Sequence, residues 1–129
     1  HWLFAVNAGS NELSVLARSR KGLELVDKAA SGGQRPVSVT VHGDLVYVLH
    51  AGSDDLAGFN VDPLGKLTPI AGSIRALSAT GTAPAQAEFS RDGEHLVVTE
   101  KATSRVLIYP VGDDGLLGDP VVQASPAPT

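Results

Sequence analysis

Short apolar runs separated by turn residues extend along the whole chain. Each run is rich in Val, Leu, Ile or Phe and is bounded by Gly, Pro, Asp or Ser, a pattern typical of β-strands joined by tight turns. The Ala-containing stretch from Ala76 to Ala87 is interrupted by Gly81 and Pro84 and has no apolar residues at helical spacing, so we interpret it as a loop. The sequence therefore predicts an all-β protein.

Three copies of one pattern follow each other. Leu3–Ser10 aligns with Val46–Ser53 at an offset of 43 residues, and both segments end in Ala-Gly-Ser. Leu96–Lys101 follows after a further 50 residues. Two more apolar runs come after each copy, and a run introduced by Gly-x-x-Pro, at Gly33–Pro36 and Gly81–Pro84, leads into the next copy. Each repeat therefore has four short strands where it is complete.

Four strands per repeat of this length are typical of a β-propeller blade, a four-stranded antiparallel meander. The strands are predicted near 37–41 and 85–90 (inner), 3–7, 45–50 and 96–100 (second), 13–16, 57–61 and 106–111 (third), and 22–26, 65–70 and 118–122 (outermost). Alternate residues should form the core, namely Phe4, Val6, Val39, Val41, Val46, Val48, Phe89, Val97 and Ile108.

The predicted blades divide the chain into about 2–35, which begins at a second strand, 36–83 and 84–129. Propellers close with about 4–8 blades, and the 129 residues supply about three. The chain also begins with His1 inside a strand-like pattern and contains no Met. We therefore expect the remaining blades of a longer chain, or a second copy, to complete the ring.

Three segments carry a resemblance to a known family: Leu3–Asn11, Pro36–Leu49 and Phe89–Lys101. They resemble the lactonase-type seven-bladed propellers, which include the 6-phosphogluconolactonase-like and carboxymuconate-cyclase-like proteins. The resemblance extends over the whole chain and about two-fifths of a seven-bladed member. It implies a propeller fold, of which this chain would form about three blades, and a small-molecule site for a sugar lactone or related cyclic ester.

The resemblance also implies where catalytic groups would lie. The family has a His after a Pro at the start of an inner strand and a Glu at the end of the next strand. Here the His position corresponds to Gln86, after Pro84, and the Glu position to Glu100. In the preceding repeat the same two positions hold Ser38 and His50. Glu100 is thus the catalytic candidate, and the family His is absent from both repeats.

Strand direction groups the candidate binding residues without reference to the family. In a meander the start of the inner strand and the end of the second strand meet at one face, and loops on one face of a propeller are the default ligand site. The residues expected to share that rim with Glu100 are Asn7, Ser38, His50, Gln86 and Lys101. We interpret Trp2 as a packing side chain, and Asp54-Asp55 and Asp113-Asp114 as turn residues without the alternation of a calcium loop.

Charge and composition exclude several classes of function. The chain has 14 acidic and 10 basic residues without a basic block, so neither a nucleic acid nor an anionic membrane surface is expected as a partner. No apolar run is long enough to span a membrane. The absence of Cys removes thiolate metal sites and cysteine nucleophiles. Glycine fingerprints for nucleotides and serine-elbow or zinc-protease motifs are also absent, so no cofactor or metal is expected.

Two functions remain open. The first is a sugar-lactone-type hydrolase in which a funnel carboxylate such as Glu100 activates water or holds the substrate while polar neighbours stabilise the oxyanion. The second is a non-catalytic propeller that serves as a binding or interaction scaffold, which the missing family His favours. A His and an Arg facing Glu100 from further blades would distinguish the first function from the second.

Overall fold

The computed structural model describes residues 2–78 and 81–124, and these residues form strands, turns and no helix. The all-β fold predicted from the sequence is confirmed. The strands are β1 (Trp2–Asn7), β2 (Glu12–Ser19), β3 (Gly22–Ala30), β4 (Pro36–His42), β5 (Leu45–His50), β6 (Asp55–Val61), β7 (Leu67–Pro69), β8 (Arg75–Ala76), β9 (Pro84–Phe89), β10 (His95–Glu100), β11 (Arg105–Pro110) and β12 (Val121–Ala124).

The strands form three antiparallel sheets, which we name blades 1, 2 and 3. Blade 1 contains β1 to β3 in chain order, and blade 3 contains β9 to β12 in chain order. In blade 2, β4, β5, β6 and β7 are neighbours, and β8 pairs with the other end of β6. The outermost position of blade 2 is thus shared by two short strands. These are meandering propeller blades, as predicted.

The blades stack face to face, with β4 beside both β1 and β9. Blade 2 lies in the middle and is buried on both faces. Val46 and Val48 of β5 pack towards blade 1, whereas Tyr47 and Leu49 pack towards blade 3. All four side chains are fully buried, although their strand alternates between faces. Two apolar layers, one at each junction between blades, therefore hold the sheets together.

The core prediction was correct for six of its nine residues, since Phe4, Val6 and Val39 also pack against the core, and wrong for three. Val46, Val48 and Phe89 are buried, but Val41 is 41% exposed, and Val97 and Ile108 are only half-buried. In blade 3 the buried residues are the alternate ones, such as Leu96 and Val98, because that face meets blade 2. Val97 and Ile108 lie on the opposite face of blade 3, which no described residue covers.

Close backbone approach tightens the junction between blades 2 and 3. Gly58 of β6 lies under the ring of Tyr47, and a Cβ atom at this position would come within 2.7 Å of the Tyr47 Cζ atom. The Tyr47 hydroxyl donates to the carbonyl of Gly115 in blade 3 at 2.7 Å. Similarly, the Tyr109 hydroxyl donates to the carbonyl of Ala76 in blade 2 at 3.0 Å. The two tyrosines thus connect neighbouring blades in opposite directions.

Candidate functional site at the funnel face

Strand register brings the predicted rim residues to one end of the blades. Pro36 at the start of β4 pairs with His50 at the end of β5, and Pro84 at the start of β9 pairs with Glu100 at the end of β10. The turn after Asn7 lies at the corresponding end of blade 1. We call this end the funnel face. It also carries the described residues of the two linkers between blades, 31–35 in the first and 77–78 and 81–83 in the second.

The predicted binding residues differ in exposure at this face. Asn7 is exposed, and its Oδ1 accepts from the Gly9 amide at 3.0 Å. Ser38 lies further along β4, where its hydroxyl is 3.3 Å from the Ala87 amide and connects the two inner strands. Gln86 is exposed on the face of blade 3 that points away from blade 2, beside Thr99. Lys101 is exposed in the turn after β10.

His50, a predicted binding residue of the rim, is fully buried in a hydrogen-bonding network. Its Nε2 atom lies 3.0 Å from the hydroxyl of Ser31, and its Nδ1 atom lies 3.0 Å from Oδ1 of Asp55. The second pair is a close polar contact between the imidazole and a carboxylate oxygen that does not meet hydrogen-bond geometry. The Asp55 carboxylate favours the tautomer protonated on Nδ1, so Nε2 accepts from Ser31.

These three side chains have the order of a Ser-His-Asp triad, but they are closed to substrate. Ser31 is fully buried, and Gly33 packs directly on the pair, because a Cβ atom there would lie 2.7 Å from Cγ of His50. Burial lowers the pKa of His50, and the nearby Asp55 carboxylate opposes that effect. The network therefore holds a neutral imidazole that joins the blade 1–blade 2 linker to blade 2.

Glu100 occupies the equivalent position in blade 3 and is also buried, with 3% of its surface exposed. Its Oε1 accepts from the hydroxyls of Ser78 and Thr103, both at 2.6 Å, and its Oε2 accepts from the Ser78 amide at 3.1 Å. A carboxylate offers about four acceptor positions, so most of its capacity is used internally. The candidate catalytic carboxylate thus holds the linker and the turn after β10.

Carboxamide and carboxylate groups in two further turns also hold these linkers. Asn11 Oδ1 accepts from the Arg35 amide at 2.8 Å. Asp54 accepts from the amides of Gly81 and Thr82 and from the Thr82 hydroxyl. These hydrogen bonds lower the pKa of Asp54, although partial burial opposes them. The predicted turn role of Asp54 agrees with these contacts.

An open cavity of about 450 Å³ lies at the funnel face between blades 2 and 3. Its basic side chains are Arg35, just before β4, and Lys101, just after β10. The remaining lining is small or apolar: Val37, Ala51, Gly81, Ala83, Pro84 and Ala85. No described residue lining it is Asp, Glu or His. The backbone of Arg35 is left-handed, with φ of 53°, and both its amide and its carbonyl are hydrogen-bonded. The backbone of Arg35 is therefore fixed, while its side chain remains exposed.

The cavity can therefore bind and orient an anionic or carbonyl oxygen, and among its described lining residues none can act as a general base. Sequence reasoning found Lys101 but missed Arg35, Ser31, Asp55 and Ser78. The Gly-x-x-Pro repeat could have indicated Arg35, because it places that residue directly before an inner strand. Nothing in the pattern indicated the linker serines.

No protein-family model matches the sequence, and no curated protein is significantly similar to it. Solved structures, by contrast, match its coordinates closely. A protein from Bacteroides fragilis, provisionally named a 6-phosphogluconolactonase, superposes with a TM-score of 0.80 at 16% identity. The match covers 97% of this chain and 38% of that protein. This chain has the β-propeller fold of that protein.

Two further structures show the same relationship. A protein from Bacteroides uniformis with the same provisional name matches with a TM-score of 0.74 at 24% identity, over 96% of this chain and 39% of its own. A protein of unknown function from Desulfotomaculum acetoxidans matches with a TM-score of 0.79 at 18% identity, over 94% of this chain and 38% of its own. The chain described here thus spans less than two-fifths of the length of these proteins.

Proposed function

We propose that this chain is part of a propeller that hydrolyses a sugar lactone or related cyclic ester, with the substrate in the funnel cavity. The observation that carries the proposal is the pair of exposed cations, Arg35 and Lys101, in a cavity between two inner strands of a chain with net charge −4. Ester hydrolysis develops negative charge on the carbonyl oxygen, and positioned cations stabilise it. The provisional names of the B. fragilis and B. uniformis proteins support the same reaction class.

In this proposal Lys101 binds the ester carbonyl and Arg35 binds a carboxylate or phosphate on the sugar. Glu100 is a positioning residue: through Ser78 and Thr103 it fixes the turn that carries Lys101, whose amide donates to the Ala83 carbonyl at 3.0 Å. The base that activates water comes from blades beyond the three described here. Direct catalysis by Glu100 stays a prediction, and the engagement of its oxygens favours the positioning role.

A binding propeller without catalysis is the second candidate. It is favoured by one observation, the absence of a carboxylate or imidazole among the described lining residues of the cavity. In that case the same two cations would recognise an anionic sugar without turning it over.

Binding and turnover measured together separate these functions. In the intact protein we would titrate gluconate 6-phosphate by calorimetry and follow 6-phosphogluconolactone hydrolysis by proton release. Arg35→Gln and Lys101→Gln should each weaken gluconate 6-phosphate binding by about tenfold or more, the value of one charge-assisted hydrogen bond. Lys21→Gln is the matched control, because Lys21 is an exposed lysine in the β2–β3 turn at the opposite face.

Binding together with turnover that falls in Lys101→Gln supports the hydrolase. Binding without turnover supports the scaffold. Absence of binding, or equal binding by wild type, Arg35→Gln and Lys101→Gln, overturns the assignment of the funnel cavity.

A further inference from the structure

Side chains of the inner strand of blade 2 hydrogen-bond to the backbone of the inner strand of blade 3. The Thr40 hydroxyl of β4 accepts from the Phe89 amide of β9 at 3.2 Å. The Ser38 hydroxyl accepts from the Ala87 amide at 3.3 Å and lies 3.5 Å from the Ala87 carbonyl, to which it can donate. Because β9 is the edge strand of its sheet, some of its amides need a partner from outside the sheet, and β4 supplies it.

Gln86 and Glu88 occupy the positions in blade 3 that Ser38 and Thr40 occupy in blade 2. Ser38 and Gln86 each pair with the next-to-last residue of a second strand, and Thr40 and Glu88 each pair with the residue two positions before it. Ser38 and Thr40 point towards blade 3. Gln86 and Glu88 therefore point away from blade 2, on the outer face of blade 3.

Neither of these two side chains has a partner among the described residues. Gln86 and Glu88 are both exposed, and within residues 2–78 and 81–124 neither side chain hydrogen-bonds to another residue. Their neighbours on the outer face include Val97, which pairs with Glu88, and Ile108, which pairs with Val97. A sheet that covers these apolar neighbours would also remove Gln86 and Glu88 from water, which is unfavourable unless each finds a hydrogen-bonding partner.

We propose that Gln86 and Glu88 bind the backbone of an inner strand in a following blade of a longer chain, as Ser38 and Thr40 bind β9. The chemistry agrees at each position. Thr40 accepts from an amide, and the carboxylate of Glu88 has only acceptors. Ser38 can both accept from and donate to one residue, and the carboxamide of Gln86 has an acceptor and two donors.

The existing junction also fixes the direction of the partner strand. The contacts of Ser38 and Thr40 each join residues 49 positions apart, so β4 and β9 run in the same direction. The proposed strand should likewise run parallel to β9 and present amides at alternate residues. Gln and Glu are longer than Ser and Thr by two carbon atoms, so this strand can lie further from β9 than β9 lies from β4.

A second copy of the described residues would not offer such a strand. Head-to-tail closure would place blade 1 of the second copy against blade 3. In the described residues blade 1 consists of β1 to β3 and has no strand at the inner position. The B. fragilis and B. uniformis proteins are long enough for further complete blades, since this chain covers 38% and 39% of them. The proposed contact does not depend on the lactone reaction.

Urea denaturation of the intact protein tests the role of Glu88. Glu88→Val should raise the unfolding equilibrium constant by about tenfold, because a backbone amide loses its acceptor. Glu88→Gln keeps an acceptor oxygen and should stay within about threefold of the wild type. Thr40→Val is the positive reference, because it removes the acceptor of the Phe89 amide. Glu24→Val is the matched control, because Glu24 is an exposed glutamate in β3, the outermost strand of blade 1.

Hydrogen exchange measured by mass spectrometry locates the partner strand. In Glu88→Val a segment outside the printed 129 residues should exchange at least about threefold faster, and Glu24→Val should leave it unchanged. Unchanged or increased stability of Glu88→Val overturns the proposal. Equal losses in Glu88→Val and Glu88→Gln also overturn it, because they indicate a cation as the partner of Glu88. Faster exchange confined to the printed residues would assign the contact to a second copy and overturn the proposed longer-chain strand.

Discussion

The Nε2 atom of His50 lies 3.0 Å from the hydroxyl oxygen of Ser31, and both residues are completely buried. Ser31 belongs to the linker that leaves blade 1, whereas His50 ends the second strand of blade 2. Blade 3 repeats the relationship with different chemistry, because Glu100 accepts from Ser78 of the next linker. A buried polar contact between linker and strand end thus recurs at both junctions.

We expect Ser31→Ala to lower the free energy of unfolding by about 1–3 kcal/mol, because it leaves the buried Nε2 atom of His50 without a partner. Urea denaturation of the intact protein measures the change. Ser14→Ala is the matched control, since Ser14 is a half-buried strand serine with no hydrogen bond from its side chain to a described residue. Equal stability of the two variants would contradict the importance of the Ser31 contact.

Stability should fall as the pH drops below about 6.5, the ordinary pKa of histidine. Burial lowers the pKa of His50 in the folded protein. At pH values between its folded and unfolded pKa, the unfolded chain therefore binds more protons than the folded chain, and protonation favours unfolding. His50→Gln should flatten this part of the profile. The lowered carboxyl pKa values of Asp27 and Asp54 act in a separate window, below about pH 4. Unfolding midpoints across the pH range would test this, and an unchanged profile in His50→Gln would exclude His50.

Glu100→Gln should reduce both stability and activity. The carboxamide presents an N–H₂ group where Ser78 or Thr103 needs an acceptor, at a cost of about 2 kcal/mol in unfolding free energy. If the proposed hydrolase is correct, lactone turnover should fall at least tenfold, with Lys101 displaced. Thermal unfolding and turnover are measured on the same preparation. Unchanged turnover in a destabilised variant would remove Glu100 from the mechanism.

Gly58→Ala should destabilise the junction between blades 2 and 3. The added methyl group would lie 2.7 Å from Cζ of Tyr47, and overpacking of this kind costs about 1–3 kcal/mol. Burial, with a smaller contribution from Asp114, raises the pKa of Tyr47 to about 12. Displacement of the ring should therefore bring one of the two tyrosine titrations back towards 10. Ultraviolet titration and urea denaturation would show this, and a wild-type titration curve would argue against the close contact.

We propose that further blades cover the outer faces of blades 1 and 3. Leu3, Leu16 and Leu25 form a cross-strand row on blade 1, where Leu25 is 59% exposed. Val97, Ile108 and Val121 form the equivalent row on blade 3. Apolar sheet faces of this kind rarely remain bare. The covering blades come from a longer chain or from a second copy of this one.

A chain with only the printed sequence should therefore self-associate or aggregate. Size-exclusion chromatography with light scattering would measure its mass, with Leu25→Lys as a more soluble comparison. A stable wild-type monomer near 13.3 kDa would contradict the need for further blades.

The alternating pattern was sufficient to place strands but not to assign their faces. Leu45–His50 was predicted at the bounds that the structure has, because a hairpin signal and a Gly turn delimit it. Val97 was nevertheless assigned to the core in place of Val98. A period of two shows that a strand has two faces, and only the neighbouring sheet determines which face, or whether both, is buried.

The candidate site was predicted less completely, for a related reason. Strand direction correctly grouped His50 and Glu100 at one end of the blades, but it could not show that linkers would cover them. Ser31 and Ser78 reach these residues from 19 and 22 positions away, and such separations depend on how one blade stacks on the next. Arg35 became visible as a site residue only once the cavity had been located.

The two linker serines contact different groups at the strand ends, a neutral imidazole in blade 2 and a carboxylate in blade 3. In blade 2 the cross-strand pair is His50 with Asp55, and in blade 3 it is Glu100 with Arg105. A hydroxyl can donate to a carboxylate or an imidazole and can accept from a cation, as it does from Arg105. A serine in the linker can therefore hydrogen-bond to a strand end that carries either an imidazole or a carboxylate. The side chain at the strand end can differ between blades while the linker residue that contacts it stays the same.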